Sequence, residues 1–231
     1  MKFSTLALFS SGVAAFAPPM RSPKHSLLAI HAFVPNNSEF CFGLPGKVAP
    51  FSDGFDPLGF CDRESYETMK TFRESEVTHG RVAMLAVVGF LVTEQPLEFH
   101  PLFNIGSKDI GPAIRHLDEV RAVAPVFFEI LAVAIGASEL RRALIGWEVG
   151  TGKNLQDNYY PGDIGFDPFG LKPQSAQEFD TMATKELNNG RLAMLAAIGF
   201  IAQELVNGKE IFVNLGVAPD TFDSSSLPIQ F

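Results

Sequence analysis

One fifteen-residue stretch holds side chains that could bind a metal, and the chain contains it twice. The first copy runs from Glu76 to Phe90 and the second from Glu186 to Phe200, with nine of the fifteen positions identical at an offset of 110. In each copy a glutamate precedes a histidine or an asparagine by three residues, so that both side chains share one helix face. Such oxygen and nitrogen ligands suit magnesium, a hard cation. The repeat therefore predicts two ligand pairs: Glu76 with His79, and Glu186 with Asn189.

Each copy also carries an arginine that its own helix cannot neutralise. Glu76 and Arg81 are five residues apart, or about 500° around a helix axis, so they point about 140° away from each other. Charges inside a membrane-length helix need partners. If the two copies cross about a two-fold axis, Arg191 can pair with Glu76, and Arg81 can pair with Glu186. Small residues at equivalent positions would permit this close crossing: Gly80, Ala83, Gly89, Gly190, Ala193 and Gly199.

A second repeated phrase precedes each copy: GFDPLG from Gly54 and GFDPFG from Gly165. Together with the paired E-x-x-[HN]-G-R motif, it resembles the chlorophyll-binding light-harvesting complex superfamily over about residues 40–215. The resemblance is greatest to the fucoxanthin–chlorophyll a/c antenna proteins of diatoms and related algae. It implies an all-α membrane protein with three transmembrane helices, in which helices 1 and 3 form a crossed pseudo-two-fold pair. It also implies that each ligand supplies an axial atom to a chlorophyll magnesium.

The resemblance implies further pigment contacts. Gln203 lies 17 residues after Glu186, where the family places another chlorophyll ligand; a solvated residue near a helix end is the alternative. In the middle helix, Glu139 followed by Arg142 matches the family's pattern, whereas Glu129 aligns only with a shift. The family's last ligand, a histidine beyond helix 3, has no counterpart after Gln203. Two aspartates in the repeated phrases would lie near carotenoid end groups, or would cap turns: Asp56 and Asp167.

Three regions differ in composition. Residues 1–15 combine a lysine, an apolar run and small residues, as a signal peptide does. Residues 16–32 are basic, contain several serines and lack acids, which is typical of a plastid transit segment; a plain secretory signal is the alternative. Residues 33–231 form the predicted three-helix chlorophyll-binding domain. Its helices are expected at about 63–95, 124–147 and 176–206, the last beginning at a capping box, Ser175 to Glu178.

The distribution of charge predicts the orientation in the plastid thylakoid membrane. The loop after helix 2 is basic and the loop before it is acidic, so the positive-inside tendency puts the N-terminus in the stroma of this multi-pass protein. Cys41 and Cys61 are expected to be free thiols, because the stromal surface is reducing. Glu94 and Glu204 occupy equivalent positions at the lumenal helix ends. The simplest interpretation is that they are solvated; the alternative is a pH switch.

Composition and motifs argue against other classes. The net charge of −8 disfavours nucleic-acid binding. Nucleophile motifs, P-loops and dinucleotide fingerprints are absent from the sequence. A di-iron carboxylate enzyme would need two Glu-x-x-His motifs, and the second copy has asparagine instead. Three spans leave little room for a transporter. The protein is therefore predicted not to be an enzyme.

The predicted function is light harvesting. The protein would bind chlorophyll a, chlorophyll c and fucoxanthin, with diadinoxanthin as a further candidate, and would transfer excitation energy to a photosystem core. Its expected partners are the core of photosystem I or II, neighbouring antenna proteins and thylakoid lipids. The alternative is a stress-related, energy-quenching member of the same family, which parts of helices 1 and 3 also resemble.

Overall fold

The computed structural model describes residues 35–48, 50–51, 53–97, 99, 111–148, 150 and 154–220. The predicted signal and transit segments, 1–15 and 16–32, lie outside these residues. The described residues contain helices and two isolated β-bridges but no strand. The helices are α1 (Phe60–Arg63), α2 (Tyr66–Thr93), α3 (His116–Val123), α4 (Val126–Gly146), α5 (Ala176–Asn207) and α6 (Ile211–Asn214), with short 3-10 turns at Phe40–Gly43 and Ala113–Arg115.

The two long helices that carry the repeats, α2 and α5, begin at serine caps. The Ser65 hydroxyl accepts the Thr68 N–H at 3.3 Å, and the Ser175 hydroxyl accepts the Glu178 N–H at 3.3 Å. An N-cap oxygen satisfies an amide that the first turn leaves without a partner. Because Ser65 caps α2, this helix begins at Tyr66 rather than at 63, and the residues before it form the separate helix α1.

α2 and α5 cross where glycine meets glycine. A Cβ added to Gly80 would lie 2.9 Å from the Cα of Gly190, and a Cβ added to Gly190 would lie 2.9 Å from the Cα of Gly80. The rings of Phe90 and Phe200, ten residues further along each helix, meet edge to face at 6.1 Å. Residues that are equivalent in the repeat therefore contact each other, as they must on a pseudo-two-fold axis. The crossed pair predicted from the repeat is the observed arrangement.

Apolar side chains on the outer faces of α2 and α5 remain exposed. Leu85 is 77% exposed, and its equivalent Leu195 is 72% exposed. Exposed apolar surface of this extent marks a contact with lipid, a ligand or another protein. By length and composition, Tyr66–Thr93 could cross a membrane, and the bent pair Ala113–Val123 and Val126–Gly146 could form a second span if its two helices act as one. These are the candidate spans among the described residues.

The middle helix, α4, projects apolar side chains into the surroundings. All residues from 129 to 141 are exposed, including Val133 at 73% and Ile135 at 54%. Its C-terminal end is anchored, because Gly146 lies against the ring of Tyr159, where an added Cβ would approach to 2.9 Å. The described residues therefore do not cover this part of the helix.

Cys41 and Cys61 form a disulfide, so the prediction of free thiols is wrong. Their Cα atoms are 4.8 Å apart across a sequence separation of 20 residues, within the range that a disulfide spans. A left-handed turn causes this proximity: φ is 47° at Cys41 and 59° at Phe42. Such conformations cost non-glycine residues on the order of 1–3 kcal/mol each. The turn folds the segment back onto α1. The prediction of free thiols rested on the redox state of the compartment and did not include this contact.

We predict that Gly80→Ala destabilises the crossed pair by about 1–3 kcal/mol, because the new methyl group overlaps backbone atoms of the partner helix. Gly89→Ala is the matched control: it lies on the same helix, and no described atom beyond the neighbouring backbone of α2 lies within 4 Å of its added Cβ. Replacing a helical glycine with alanine there should be neutral or stabilising by up to about 1 kcal/mol. Thermal unfolding of both variants in detergent measures the difference, and equal unfolding temperatures would contradict the glycine contact.

Candidate functional site

Two ion pairs join α2 and α5 across the axis. The Nε atom of Arg191 lies 2.7 Å from Oε1 of Glu76, and the Nε atom of Arg81 lies 2.7 Å from Oε1 of Glu186. These are the two cross pairs predicted from the repeat. The four side chains are 29–39% exposed, so the pairs are screened more than fully buried pairs would be.

A proline–glycine segment covers each ion pair. In the first elbow, Pro45–Gly46, the Gly46 carbonyl accepts a hydrogen bond from Nη1 of Arg191 at 2.9 Å. In the second elbow, Pro161–Gly162, the Gly162 carbonyl accepts one from Nη1 of Arg81 at 2.8 Å. Both glycines have positive φ, 127° and 85°, a conformation that favours glycine. The two elbows therefore present equivalent carbonyls to equivalent arginines.

The two pairs differ in their remaining partners. Nε of Arg73 lies 3.1 Å from Oε2 of Glu76, and Nη1 of Arg73 also donates to the Pro45 carbonyl. Glu76 therefore faces two arginines, whereas Glu186 faces one among the described residues. The position equivalent to Arg73 is Ala183, which cannot supply a charge.

Three predicted ligand side chains each have one nitrogen hydrogen-bonded to a backbone carbonyl. Nδ1 of His79 lies 2.7 Å from the Ser75 carbonyl, so it carries the proton there and leaves the lone pair on Nε2. Nδ2 of Asn189 donates to the Lys185 carbonyl at 3.0 Å, and Nε2 of Gln203 donates to the Lys209 carbonyl at 2.9 Å. In each case a backbone carbonyl takes the N–H group and orients the remaining nitrogen or oxygen as a potential metal ligand.

The candidates on α4 lie apart from the crossed pair. Glu129 is exposed, and Glu139 is 50% exposed, with Oε2 2.6 Å from Nη2 of Arg142. Because the two residues are three apart, this pair forms within one turn of α4. Arg142 also reaches α2, where its Nη1 donates to the Thr78 hydroxyl at 2.6 Å and lies 3.4 Å from Oε1 of Glu74.

Glu74 is a buried junction that sequence reasoning missed. It is 1% exposed; its Oε2 accepts the Gly162 N–H at 2.6 Å and the Tyr159 hydroxyl at 3.1 Å. Burial raises the pKa of the Tyr159 phenol, and the neighbouring Glu74 carboxylate raises it further. Glu74 thus connects α2, α4 and the second elbow. No local pattern predicts it, because its partners lie 68 to 88 residues away.

Asp56 and Asp167 cap turns. Oδ2 of Asp56 accepts the Cys61 N–H at 2.7 Å, and Asp167 accepts the N–H groups of Leu171 and Lys172, each at 2.9 Å. These backbone donors lower the pKa of both carboxyl groups. The turn-capping role expected from the sequence is observed for both residues, and contact with carotenoid end groups stays a prediction.

Glu94 and Glu204 are buried, so the interpretation that they are solvated is wrong. They are 1% and 2% exposed. Glu94 accepts the N–H groups of Ala113 at 3.1 Å and Ile211 at 2.8 Å, and Glu204 accepts that of Ile114 at 2.8 Å. The chain segments after α2 and α5 fold over the helix ends and exclude water from both carboxylates, which the helix pattern alone did not reveal.

Comparisons with known proteins identify the family. The sequence profile described as chlorophyll A-B binding protein matches residues 41–205, more than half of the chain. The chain belongs to this chlorophyll-binding family. Light-harvesting complex stress-related protein 1 of Chlamydomonas reinhardtii is 50% identical over 175 residues, covering 74% of this chain and 68% of that protein. The fucoxanthin-chlorophyll a-c binding protein of Isochrysis galbana is 46% identical over 179 residues, covering 74% and 81%.

More distant relatives include chlorophyll a-b binding protein 4 of Arabidopsis thaliana, 34% identical over 196 residues, which cover 74% of this chain and 70% of that protein. The relatives named here are chloroplastic. The chain is thus a member of the light-harvesting superfamily, whose proteins bind pigments rather than catalyse reactions. The resemblance inferred from the repeated motif is confirmed.

We predict that Arg81→Leu destabilises this chlorophyll-binding protein more than Arg191→Leu. The first change leaves Glu186 without a cation, whereas Glu76 keeps Arg73 after the second. Because the pairs are partly exposed, we expect about 1–2 kcal/mol for Arg81→Leu and less for Arg191→Leu.

Unfolding by urea in detergent gives both values. The control is the double variant Arg81→Glu with Glu186→Arg, which restores an ion pair with its charges exchanged and should recover much of the lost stability. Equal losses in the two single variants would contradict the role assigned to Arg73.

Proposed function

We propose that this protein is a light-harvesting antenna of the plastid thylakoid membrane that transfers excitation energy to a photosystem core. The observation that carries the proposal is that a backbone carbonyl holds one nitrogen of each of three ligand side chains. A chlorophyll magnesium needs one axial ligand, and Nε2 of His79 and the amide oxygens of Asn189 and Gln203 are each set by a backbone carbonyl. Exposure of His79 and Asn189 suits a large planar ligand beside the helix.

The carboxylates divide into two groups in this proposal. Glu186 keeps Oε2 for a magnesium, because its Oε1 alone faces an arginine. Glu76 has both oxygens near arginines, yet each carboxylate oxygen has a second lone pair that can coordinate a metal. Glu139 and Glu129 would serve pigments beside the exposed face of α4. Chlorophyll bound there would cover the apolar side chains that the polypeptide leaves exposed.

The proposed pigments are chlorophyll a, chlorophyll c and fucoxanthin, which the name of the fucoxanthin-chlorophyll a-c binding protein of Isochrysis galbana supports. Diadinoxanthin is proposed as a further carotenoid. In this proposal the turns at Asp56 and Asp167 would hold the end groups of two carotenoids. We further propose three membrane spans, α2, α4 and α5, with the N-terminus in the stroma. Lipids, photosystem I or II cores and neighbouring antennae would be the partners of the exposed apolar faces.

We predict that His79→Phe removes about one chlorophyll per chain and leaves the fold intact, because the ring keeps its volume but loses the ligand nitrogen. Asn189→Leu should do the same at the second site. The matched control is Asn189→His, which gives the second copy the ligand of the first and should keep its chlorophyll. Pigment extraction and chromatography after reconstitution give the stoichiometry. Unchanged chlorophyll in both His79→Phe and Asn189→Leu would reject these assignments.

Energy quenching is a second candidate function. Its support is the 50% identity to stress-related relatives and the burial of Glu94, Glu204 and Glu210 at one end of the crossed pair. Oε2 of Glu210 accepts the Gln95 N–H at 3.1 Å, so these carboxylates hold backbone groups of three segments. A neutral carboxyl group is a weaker acceptor than a carboxylate. Acidification would therefore change the hydrogen bonds at this end.

We predict for the quenching candidate that the fluorescence lifetime of the reconstituted protein shortens as the pH falls from about 7.5 to about 5. The double variant Glu94→Gln with Glu204→Gln should give a lifetime that does not depend on pH in this range. Glu129→Gln, an exposed acid elsewhere, is the control and should behave like the parent. A lifetime that stays constant in the parent would reject this pH switch, though not quenching by another route.

A further inference from the structure

The disulfide lies where the two repeat-related halves of the protein, one containing α2 and the other α5, use different links to hold a turn. Cys61 follows the first GFDP phrase at the position that Lys172 occupies after the second. Both residues donate their backbone N–H to the aspartate of that phrase, at 2.7 Å and 2.9 Å. The Lys172 side chain then forms an ion pair with Asp163 at 2.5 Å. The Cys61 side chain instead forms the bond to Cys41.

Both links, the disulfide and the Lys172–Asp163 ion pair, restrain the loop that contains an elbow. Asp163 is adjacent to Gly162, so the Lys172–Asp163 pair holds the second elbow against Arg81. Cys41 lies three residues before Leu44, which is 2% exposed and directly precedes the first elbow. The carbonyls of that elbow accept hydrogen bonds from Arg73 and Arg191. The covalent bond therefore stands where the second half has only an ion pair between partly buried side chains.

The fold does not need this bond to bring α2 and α5 together. The glycine contact and the two cross ion pairs join those helices directly, and the second elbow keeps its place without a disulfide. Opening the bond would also release the left-handed backbone at Cys41 and Phe42, which is unfavourable for residues with a side chain. Cleavage would therefore loosen the first elbow and leave the crossed pair assembled.

We propose that Cys41–Cys61 is a reversible, redox-responsive cross-link that controls the order of the first elbow over the Arg191–Glu76 pair. Cys61 is partly exposed while Cys41 is buried, so a dithiol reductant attacks the Cys61 sulfur as a thiolate. The S–S bond breaks, the Cys41 thiolate leaves and takes a proton, and the second thiol of the reductant resolves the mixed disulfide. The protein gains two electrons and two protons, and the dithiol becomes a disulfide.

The test compares the purified full-length mature protein in detergent, air-oxidised and after treatment with dithiothreitol without denaturant. Maleimide labelling should modify neither cysteine before reduction and both cysteines after reduction and removal of the dithiothreitol. A reduced sample that is instead re-oxidised by air before the maleimide is added should again resist labelling. Hydrogen exchange at the Leu44 and Cys61 amides should accelerate about tenfold or more on reduction. The matching amides of the second half, Asp163 and Lys172, are the internal control and should not change.

The double variant Cys41→Ser with Cys61→Ser should exchange like the reduced parent and should not respond to dithiothreitol. Because the parent is measured in both states, the test does not depend on how well this variant folds. A bond that dithiothreitol reduces only after denaturation would overturn the proposal, as would equal exchange at Leu44 and Cys61 in the two states. Labelling of both cysteines in the air-oxidised protein would overturn it as well.

Discussion

The structure depends on neutralising four charges near the middle of the two long helices α2 and α5. Each glutamate points away from the arginine that follows it by five residues on its own helix, and the 2.7 Å contacts between Arg191 and Glu76 and between Arg81 and Glu186 pair these charges across the two helices. The arginines reach the glutamates only because the backbones approach closely, which Gly80 and Gly190 permit. Close packing therefore permits the charge pairing, and the charge pairing in turn holds the two helices together.

The elbows complete this arrangement. A guanidinium group has five N–H donors, and one carboxylate contact leaves several of them without an acceptor. The carbonyls of Gly46 and Gly162 accept hydrogen bonds from two of these groups, and the positive φ of both glycines turns the carbonyls toward the arginines. The connecting segments are thus part of the electrostatics of the helix pair.

The repeat predicted the features that obey its symmetry. The crossed helices, the two ion pairs and the equivalence of Glu94 and Glu204 all follow from the 110-residue offset. The repeat did not predict the elbows, because Gly46 precedes its GFDP phrase by eight residues whereas Gly162 precedes its phrase by three. The disulfide depends on a left-handed turn between ordinary residues, and Glu74 depends on partners distant in sequence. Tertiary contacts of these kinds leave no local sequence pattern from which they could be predicted.

The position of α4 breaks the symmetry of the two halves. Arg142 of α4 meets Glu74 of α2, and the residue of α5 equivalent to Glu74 is Thr184, which offers no charge to an arginine. One middle helix can therefore dock against one half only. Chromophores at equivalent positions of α2 and α5 would experience different electric fields, since one has the Arg142 and Glu74 charges nearby and the other does not. Their absorption energies would differ, and excitation would flow downhill between two sites that the repeat made alike.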